Sequence, residues 1–139
     1  FKPIAHLRQI VVARRGHPLA DTRAAAALQS EEWLCVVRRD ATAQALRTLG
    51  APAPKRITEC ESFSAMLALL AGSDMLAVVQ HPFLDLPQAA QWVQEIQLAE
   101  RLPGLTVGLH TRADAPLTRP AAALARWLAE IGRALLQRG

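Results

Sequence analysis

Blocks of apolar residues alternate with polar blocks along the chain, and this pattern predicts alternating strands and helices. Residues 7–13 (LRQIVVA) form a continuous apolar run rich in β-branched residues, which is typical of a strand buried on both faces. Similar short runs predict three more strands and two weaker ones, at 33–37, 56–60, 75–79, 94–98 and 105–110.

The segments between these strands show helical periodicity and helix-capping residues. We predict a short Ala-rich helix, two longer helices, a Pro-bounded segment that leads into a short helix, and a long last helix, at 22–30, 40–49, 62–71, 82–92 and 118–137. The predicted N-caps and the glycines that end the second and third helices are Asp21 or Thr22, Asp40, Ser62, Gly50 and Gly72. Because strands and helices alternate, the sequence predicts an α/β fold with a parallel sheet.

The last helix carries an apolar stripe at the spacing i, i+3, i+4, i+7 and i+11. Its members are Leu124, Trp127, Leu128, Ile131 and Leu135. Such a stripe docks on a sheet or on a partner, so we expect Trp127 and Leu128 to be buried.

The composition indicates a folded domain. Of the 139 residues, 51% are hydrophobic and 20% are charged, and the mean hydropathy is +0.12. This is too apolar for a disordered chain and within the size of one domain. No run approaches the roughly 18 to 20 apolar residues of a membrane span, and the N-terminus lacks the pattern of a signal peptide. We therefore expect a cytoplasmic protein with no membrane partner.

The cysteine, histidine and charged residues do not form the patterns that indicate a metal site or a nucleic-acid-binding site. Cys35 and Cys60 lie in apolar, strand-like runs and are expected to be buried, reduced thiols. The four histidines are scattered without an i, i+4 pair, so we expect no metal site and no cofactor. Lys and Arg outnumber Asp and Glu by 16 to 12, but they are dispersed rather than gathered on one face, as nucleic-acid binding would require.

Two segments resemble parts of the effector-binding domain of LysR-type bacterial transcription regulators. The first is RQIVVARRGHPLA at 8–20, where a strand runs into the signature HPLA. The second is ESF at 61–63 with the apolar helix after it and GSDMLAVV at 72–79, in which Asp74 occupies the place of an expected glycine.

A third segment extends the resemblance over essentially the entire chain. LHTR at 109–112 and APLTRPA at 115–121 resemble the closing segment of the family, with Pro120 one position later than usual. Pro120 still lies in the first turn of a helix, where its missing N–H costs little. The CESF and SD patterns are most similar to the toluenesulfonate-type branch.

The resemblance implies a periplasmic-binding-protein type II-like fold, which is a two-lobed parallel sheet with one lobe complete here and the other partial. Residues 14–98 would form effector-binding lobe II, and residues 1–13 and 99–139 the crossover strands and the C-terminal part of lobe I. The family topology places strand 33–37 at the centre of a five-stranded sheet, between 56–60 and 75–79.

The same resemblance implies a ligand-sensing function without catalysis. A small anionic effector would bind in a cleft between the lobes, and the sensing regions would associate as dimers or tetramers. DNA would be contacted only through an N-terminal winged helix-turn-helix, which is absent from these residues. We therefore expect no sequence-specific DNA binding by residues 1–139 themselves.

Ligands of parallel α/β lobes bind beyond the carboxyl ends of the strands. Those ends lie here at Val37 and Arg38, at the loop of Cys60, Glu61 and Ser62, and at Gln80. A helix that begins at Ser62 directs free N–H groups and the positive end of its dipole to this edge, which suits a carboxylate, sulfonate or sulfate. A plain role as N-cap explains Ser62 equally well.

Further residues complete the predicted site. The hydroxyl of Ser64 could add a hydrogen bond, whereas Glu61 and Asp40 would repel an anion unless they point outward or pair with arginine. The resemblance implies that the loop of Cys60 to Ser62 and Ala13 face the ligand. Because Ala13 is small and apolar, a larger or aromatic acid is favoured over a compact oxyanion.

Three other functions remain open from the sequence. A solute-binding protein of a transport system would share the two-lobed architecture, although HPLA and PLTRPA argue against it. An enzyme could use Cys60 as a nucleophile at a helix N-terminus with His81 as its base. An oligomerising module without a ligand would use the stripe on the last helix, which packing against a missing part of lobe I also explains.

Overall fold

The computed structural model describes residues 1–36, 39–51, 53–54 and 56–136. In chain order the strands are β1 (Lys2–Leu7), β2 (Gln9–Arg14), β3 (Glu32–Cys35), β4 (Arg56–Glu59), β5 (Leu76–Gln80), β6 (Val93–Ile96) and β7 (Leu105–Leu109). The α-helices are α1 (Arg39–Thr48), α2 (Phe63–Gly72), α3 (Pro87–Trp92) and α4 (Arg119–Leu136). Two short 3₁₀ helices lie at Ala25–Leu28 and His81–Asp85.

The chain divides into two compact units, and the predicted first strand spans the division. Residues 1–8 and 104–139 form one unit, and residues 9–103 form the other. The single strand predicted at 7–13 is therefore wrong at its start, because Leu7 ends β1 and exposed Arg8 separates it from β2. The assignment of 14–98 to an effector-binding lobe, and of 1–13 and 99–139 to the other lobe, stays a prediction.

The unit of residues 9–103 is built on a five-stranded sheet in the order β4-β3-β5-β2-β6. β3 is parallel to both β4 and β5, so its predicted position between these two strands is confirmed, although β5 is the middle strand of the five. β2 pairs antiparallel with β5 and with β6, so four strands point one way and only β2 is reversed. The sheet is thus mostly parallel, as the alternation of strands and helices predicted.

Both faces of this sheet are covered by apolar side chains. Ile10 and Val12 of β2 face one core cluster with Met66 and Leu70 of α2. The alternate residues Val11 and Ala13 face a second cluster, which includes Leu28, Trp33, Leu46 and Leu49. A strand buried on both faces needs apolar residues at successive positions, which explains the continuous run in β2.

Two helices begin at residues other than those that the sequence predicts. The predicted helix at 22–30 is only the 3₁₀ helix Ala25–Leu28, whose N-cap is Ala24 without a side-chain hydrogen bond, so Asp21 and Thr22 cap nothing here. This short turn buries Ala25 and Leu28, and the i, i+3 spacing of a 3₁₀ helix puts both on one side. α1 begins at Arg39, so Asp40 lies within its first turn rather than at the N-cap.

The predicted end of α1 at Gly50 is confirmed. Gly50 has φ +71°, its N–H donates to Arg47 O at 3.0 Å, and the N–H of Ala51 donates to Leu46 O at 3.2 Å. This pattern is the Schellman motif, which requires a left-handed residue after the helix. α2 differs, because Gly72 is its last helical residue, without positive φ, and Ser73 is the C-cap.

Gly50→Ala and Gly72→Ala are expected to change stability in opposite directions. A Cβ would meet no atom within 4 Å at either position, so steric clash contributes to neither effect. Gly50→Ala forces a left-handed alanine and should cost about 1–2 kcal/mol. Gly72→Ala reduces the freedom of the unfolded chain and should add about 0.4–1 kcal/mol. Urea denaturation of both variants measures the difference, and equal effects would contradict the Schellman geometry.

The unit of residues 1–8 and 104–139 contains the antiparallel pair β1–β7 and α4. Thr118 precedes α4 and accepts a hydrogen bond from Ala121 N–H at 3.4 Å, so the predicted start of the last helix is confirmed. Small residues form the face of α4 toward β1: Ala129 is buried, and a Cβ on Gly132 would lie 2.8 Å from Ile4 Cγ2.

The predicted burial of Trp127 and Leu128 is wrong within this chain. The large apolar residues of α4 are exposed: Leu124 by 59%, Trp127 by 69%, Leu128 by 46% and Ile131 by 50%. The physical reason is that the small-residue face, rather than the large-residue stripe, contacts the two-stranded sheet. Leu135 lies where the structure describes no side chain. Among the described residues, no helix has the length and apolarity needed to cross a membrane.

Candidate functional site

The carboxyl ends of β3, β4 and β5 meet at one edge of the five-stranded sheet because these strands are parallel. The Cys60 N–H donates to Cys35 O at 2.9 Å, so the chain leaves the sheet directly after this contact. Gln80 ends β5 at the same edge. Val37 and Arg38, which were predicted at the end of β3, lie outside the described residues.

The N-terminus of α2 is positioned at this edge by Ser62. Ser62 has extended backbone angles (φ −133°, ψ 128°), and its Oγ accepts a hydrogen bond from Ala65 N–H at 3.4 Å. The predicted N-cap is therefore confirmed. The N–H groups of Phe63 and Ser64, in the first turn, have no intrahelical acceptor. Because Ser62 is exposed, these donors and the positive end of the helix dipole are available to an anion.

Cys60 and Glu61 have different environments in the loop before α2. Cys60 is a partly buried free thiol that packs against the core on the α2 side of the sheet, and its Sγ lies 3.7 Å from Ser62 O. Cys35, on β3, is buried and forms no disulfide. The Glu61 side chain is exposed, so it can point away from an anion at the helix N-terminus.

Ala13 lies at the opposite edge of the sheet from this loop. β2 is antiparallel to β5, with Gln9 opposite Gln80 and Val12 opposite Ala77, so the end of β2 lies toward the amino ends of the parallel strands. Ala13 is also fully buried, at 0% exposure. The structure therefore does not bring Ala13 together with Ser62. The contact of Ala13 with ligand stays a prediction.

Gln9 is a candidate that the sequence did not reveal. It begins β2 directly opposite Gln80, and both residues are partly exposed, so two amide-bearing residues occupy opposed positions at the carboxyl edge. Each amide can donate and accept hydrogen bonds. Gln9 lies at this edge because β2 pairs antiparallel with β5. The apolar run of residues 7–13 predicts a strand but does not reveal its direction.

His81 adds an unsatisfied group next to Gln80. Its Nδ1 is buried and has no hydrogen-bond partner among the described residues. Buried polar atoms without a partner are rare in folded proteins, so such an atom is a candidate for contact with a ligand or water. The sequence alone suggests for His81 only the role of a base for Cys60.

Ser64 lines a second surface of the same unit. It borders a groove of about 570 Å³ between α2 and the segment of the second 3₁₀ helix and α3. The groove is apolar and has no charged lining residue, and Phe63, Leu86 and Trp92 are each more than half exposed along it. Ser64 can therefore contact a ligand in this groove as well as one at the α2 N-terminus.

The histidine of the HPLA signature is held inside the fold by two hydrogen bonds. His17 is only 4% exposed; its Nε2 lies 3.0 Å from Asp74 O and its Nδ1 accepts a hydrogen bond from Leu19 N–H at 3.0 Å. Arg14 donates to the Asp74 carboxylate through Nε at 2.8 Å and pairs through Nη2 at 2.7 Å. Asp74, which replaces the glycine expected from the family pattern, thus ties the turn before β5 to the end of β2.

An exposed ion pair lies in the other unit, in the loop after β7. Arg112 donates to both carboxylate oxygens of Asp114, at 3.0 and 2.6 Å. The guanidinium lowers the pKa of Asp114, and the carboxylate raises the pKa of Arg112. Solvent screens a pair as exposed as this one, so it contributes little to stability. We assign it no part in the site.

Comparison with known proteins decides the family. Residues 1–133 match the family model described as the LysR substrate binding domain. The chain belongs to this family. The resemblance to LysR-type effector-binding domains is therefore confirmed over residues 1–133. The matched family gives no support to a solute-binding protein of a transport system.

Solved structures show the fold of this LysR domain. The CcmR regulatory domain of Synechocystis PCC6803 in complex with 2-PG has a TM-score of 0.68 and 20% identity, over 95% of this chain and 66% of that chain. The AmpR effector domain of Pseudomonas aeruginosa has a TM-score of 0.69 and 17% identity, over 97% and 66%. The QuiR effector-binding domain in complex with shikimate has a TM-score of 0.69 and 16% identity, over 96% and 65%.

These comparisons confirm the predicted periplasmic-binding-protein type II-like architecture with partial coverage of one lobe. This LysR chain spans slightly less than two thirds of the length of the solved chains. Nearly all of its own length is aligned, so about a third of each solved chain has no counterpart in residues 1–139.

Proposed function

We propose that this chain is the ligand-sensing part of a LysR-type transcription regulator and that it binds a small organic anion at the carboxyl edge of the five-stranded sheet. The observation that carries the proposal is that the α2 N-terminus and the opposed residues Gln9 and Gln80 lie at the same edge of the sheet, with the buried Nδ1 of His81, which has no partner among the described residues, directly after Gln80. These groups supply hydrogen-bond donors and a positive dipole end without a metal.

The related solved domains support a small-molecule ligand. The CcmR and QuiR domains hold 2-PG and shikimate, respectively. In this chain the contacts predicted from the sequence stay predictions, and they are Ala13, Val37, Arg38, Cys60, Glu61, Ser62, Ser64 and Gln80. We add Gln9 and His81 to them. The cleft that the resemblance implies also stays a prediction.

A screen by thermal unfolding tests whether an anion binds. The panel contains shikimate, 2-PG, aromatic carboxylates and sulfonates, and sulfate, and each organic acid is matched by its uncharged amide. A ligand at 100 times its Kd should stabilise the fold by about 2.7 kcal/mol. We expect at least one organic acid to raise the melting temperature while its amide does not. Equal effects of acid and amide would contradict an anion site.

Ser62→Gly is expected to weaken binding of the anion found in this screen. Glycine caps a helix nearly as well as serine, so folding is largely retained, whereas the hydroxyl is lost. If the hydroxyl contacts the charged ligand, its loss is worth about 1.5–3 kcal/mol, or roughly ten- to a hundred-fold in affinity by calorimetry.

Thr118→Gly is the matched control for this measurement. Thr118 caps α4 with the same 3.4 Å hydrogen bond, but it belongs to the other unit and to no candidate site. We expect wild-type affinity for Thr118→Gly. Wild-type affinity for Ser62→Gly as well would mean that the serine is only a cap and that the ligand binds elsewhere.

The proposal includes the cellular setting and the partners of this sensing domain. We place the regulator in the cytoplasm, without catalytic activity, and assign DNA contact to a winged helix-turn-helix outside these residues.

The apolar groove along α2 supports self-association, because Phe63, Leu86 and Trp92 are exposed there. Sedimentation over a range of concentrations tests this point, and a monomer at every concentration would contradict it.

A further inference from the structure

The apolar groove beside α2 extends along the whole of that helix. Its α2 side consists of residues at i, i+1, i+4, i+5 and i+8, which share one helix face, and they are Phe63, Ser64, Leu67, Ala68 and Ala71. At 1.5 Å per residue this face is about 12 Å long. The opposite side is formed by the second 3₁₀ helix and α3, which contribute Phe83, Leu86 and Trp92. The groove is therefore long enough to hold an extended apolar tail.

The two ends of the groove lie toward opposite edges of the five-stranded sheet. Phe63 directly follows the cap residue Ser62, and its ring centroid lies 6.3 Å from that of Phe83, just after the carboxyl end of β5. Trp92 directly precedes β6, which begins beside the end of β2, toward the amino ends of the parallel strands. One end of the groove is thus at the candidate anion site, and the end at Trp92 is remote from it.

The chemistry of the groove changes from its first end to its interior. At the first end, the N–H groups of Phe63 and Ser64 have no intrahelical acceptor. His81, in the same 3₁₀ helix as Phe83, has a buried Nδ1 without a partner among the described residues. Farther along, none of the described lining residues is charged, so apolar groups are favoured there and a charge would lose hydration without compensation. The volume of about 570 Å³ is within the range of roughly 300–1,000 Å³ of small-molecule sites.

We infer that the ligand of this domain is an amphipathic organic anion, whose carboxylate or sulfonate binds at the α2 N-terminus and whose apolar tail lies in the groove toward Trp92. The inference rests on the proposed anion site and adds the class of its ligand. The positive helix end and the uncharged groove complement the two parts of such a molecule. Its tail would cover Phe63, Leu86 and Trp92, which are the side chains that support self-association, so ligand binding and self-association would compete.

Linear alkyl sulfonates and carboxylates, from ethyl to decyl, test this class of ligand by calorimetry at concentrations below those at which micelles form. Each CH₂ group buried in the groove should tighten binding by about two- to four-fold, until the tail spans the groove. Equal affinities of the ethyl and decyl compounds would overturn the inference and leave the proposed anion site intact. No binding by any member of either series would contradict both. Equal affinity of uncharged decyl amide would overturn the placement of the charged head at the helix.

Trp92 reports whether the tail reaches the remote end of the groove. In Trp127→Phe the other tryptophan is Trp33, which is 1% exposed, whereas Trp92 is 52% exposed. Decyl sulfonate should reduce the quenching of Trp92 by acrylamide several-fold, and ethyl sulfonate should leave it unchanged, at a protein concentration where sedimentation shows a monomer. Unchanged quenching with bound decyl sulfonate would overturn the inference. Protection that depends on protein concentration and persists with bound decyl sulfonate would assign the groove to a second copy instead.

Ala68→Glu places a charge within the groove and should remove most of the advantage of decyl over ethyl sulfonate. Ala68 is exposed on α2, and glutamate is a good helix former, so folding should be retained. Leu69→Glu is the matched control, because Leu69 is exposed on the same helix but does not line the groove. We expect the control to keep the wild-type dependence on chain length. A full chain-length dependence in Ala68→Glu, or an equal loss in both variants, would overturn the inference.

Discussion

Trp33→Ala is expected to lower the free energy of unfolding of this chain by about 3–5 kcal/mol, because truncating a buried tryptophan leaves a large cavity. Trp33 lies on β3, is 1% exposed, and packs in the cluster that holds Leu28, Leu46 and Leu76. Since the whole fold is worth about 5–15 kcal/mol, this single change could unfold most of the population. Circular dichroism during urea denaturation measures the loss independently of tryptophan fluorescence.

Trp127→Ala is the matched control for this prediction. The same atoms are removed, but Trp127 is 69% exposed, so the change should stay within about 0.5 kcal/mol in the 139-residue chain. A loss similar to that of Trp33→Ala would show that α4 is covered even in this chain. A small loss for Trp33→Ala would contradict the burial of Trp33 in the core.

The unit of residues 9–103 could largely be predicted from sequence because its signals are local. The apolar runs of β3 and β5 are short and lie between polar segments. Ser62 and Gly50 mark helix ends by side-chain and backbone chemistry. The order of the strands required the family resemblance, since periodicity carries no information on which strands are neighbours. The structure confirms that order for β3 between β4 and β5.

The failures share a physical cause, which is that they depend on distant partners. The apolar run at 7–13 is continuous, yet it divides at Arg8 because β1 pairs with β7 nearly a hundred residues later. The direction of β2 puts Ala13 at the opposite edge of the sheet from Ser62 and puts Gln9 opposite Gln80. Likewise, the stripe on α4 predicts burial, but Leu124, Trp127, Leu128 and Ile131 are exposed among the residues that the structure describes.

His17→Ala is expected to lower the free energy of unfolding by about 2–4 kcal/mol, because it leaves Leu19 N–H and Asp74 O without their partner in a nearly dry site. The neutral ring with a proton on Nε2 fits both contacts, since Nε2–H then donates to Asp74 O and Nδ1 accepts from Leu19 N–H. The ring thereby joins the turn after β2 to the turn before β5.

Asp74→Asn separates this effect from the neighbouring ion pair. The substitution removes the carboxylate that Arg14 contacts but keeps the backbone oxygen that His17 contacts. Because the Asp74 side chain is 55% exposed, its ion pair should be worth at most about 1 kcal/mol. Chemical denaturation should therefore show a clearly larger loss for His17→Ala than for Asp74→Asn. The reverse ranking would mean that the Arg14–Asp74 pair, rather than the buried imidazole, holds the HPLA turn in place.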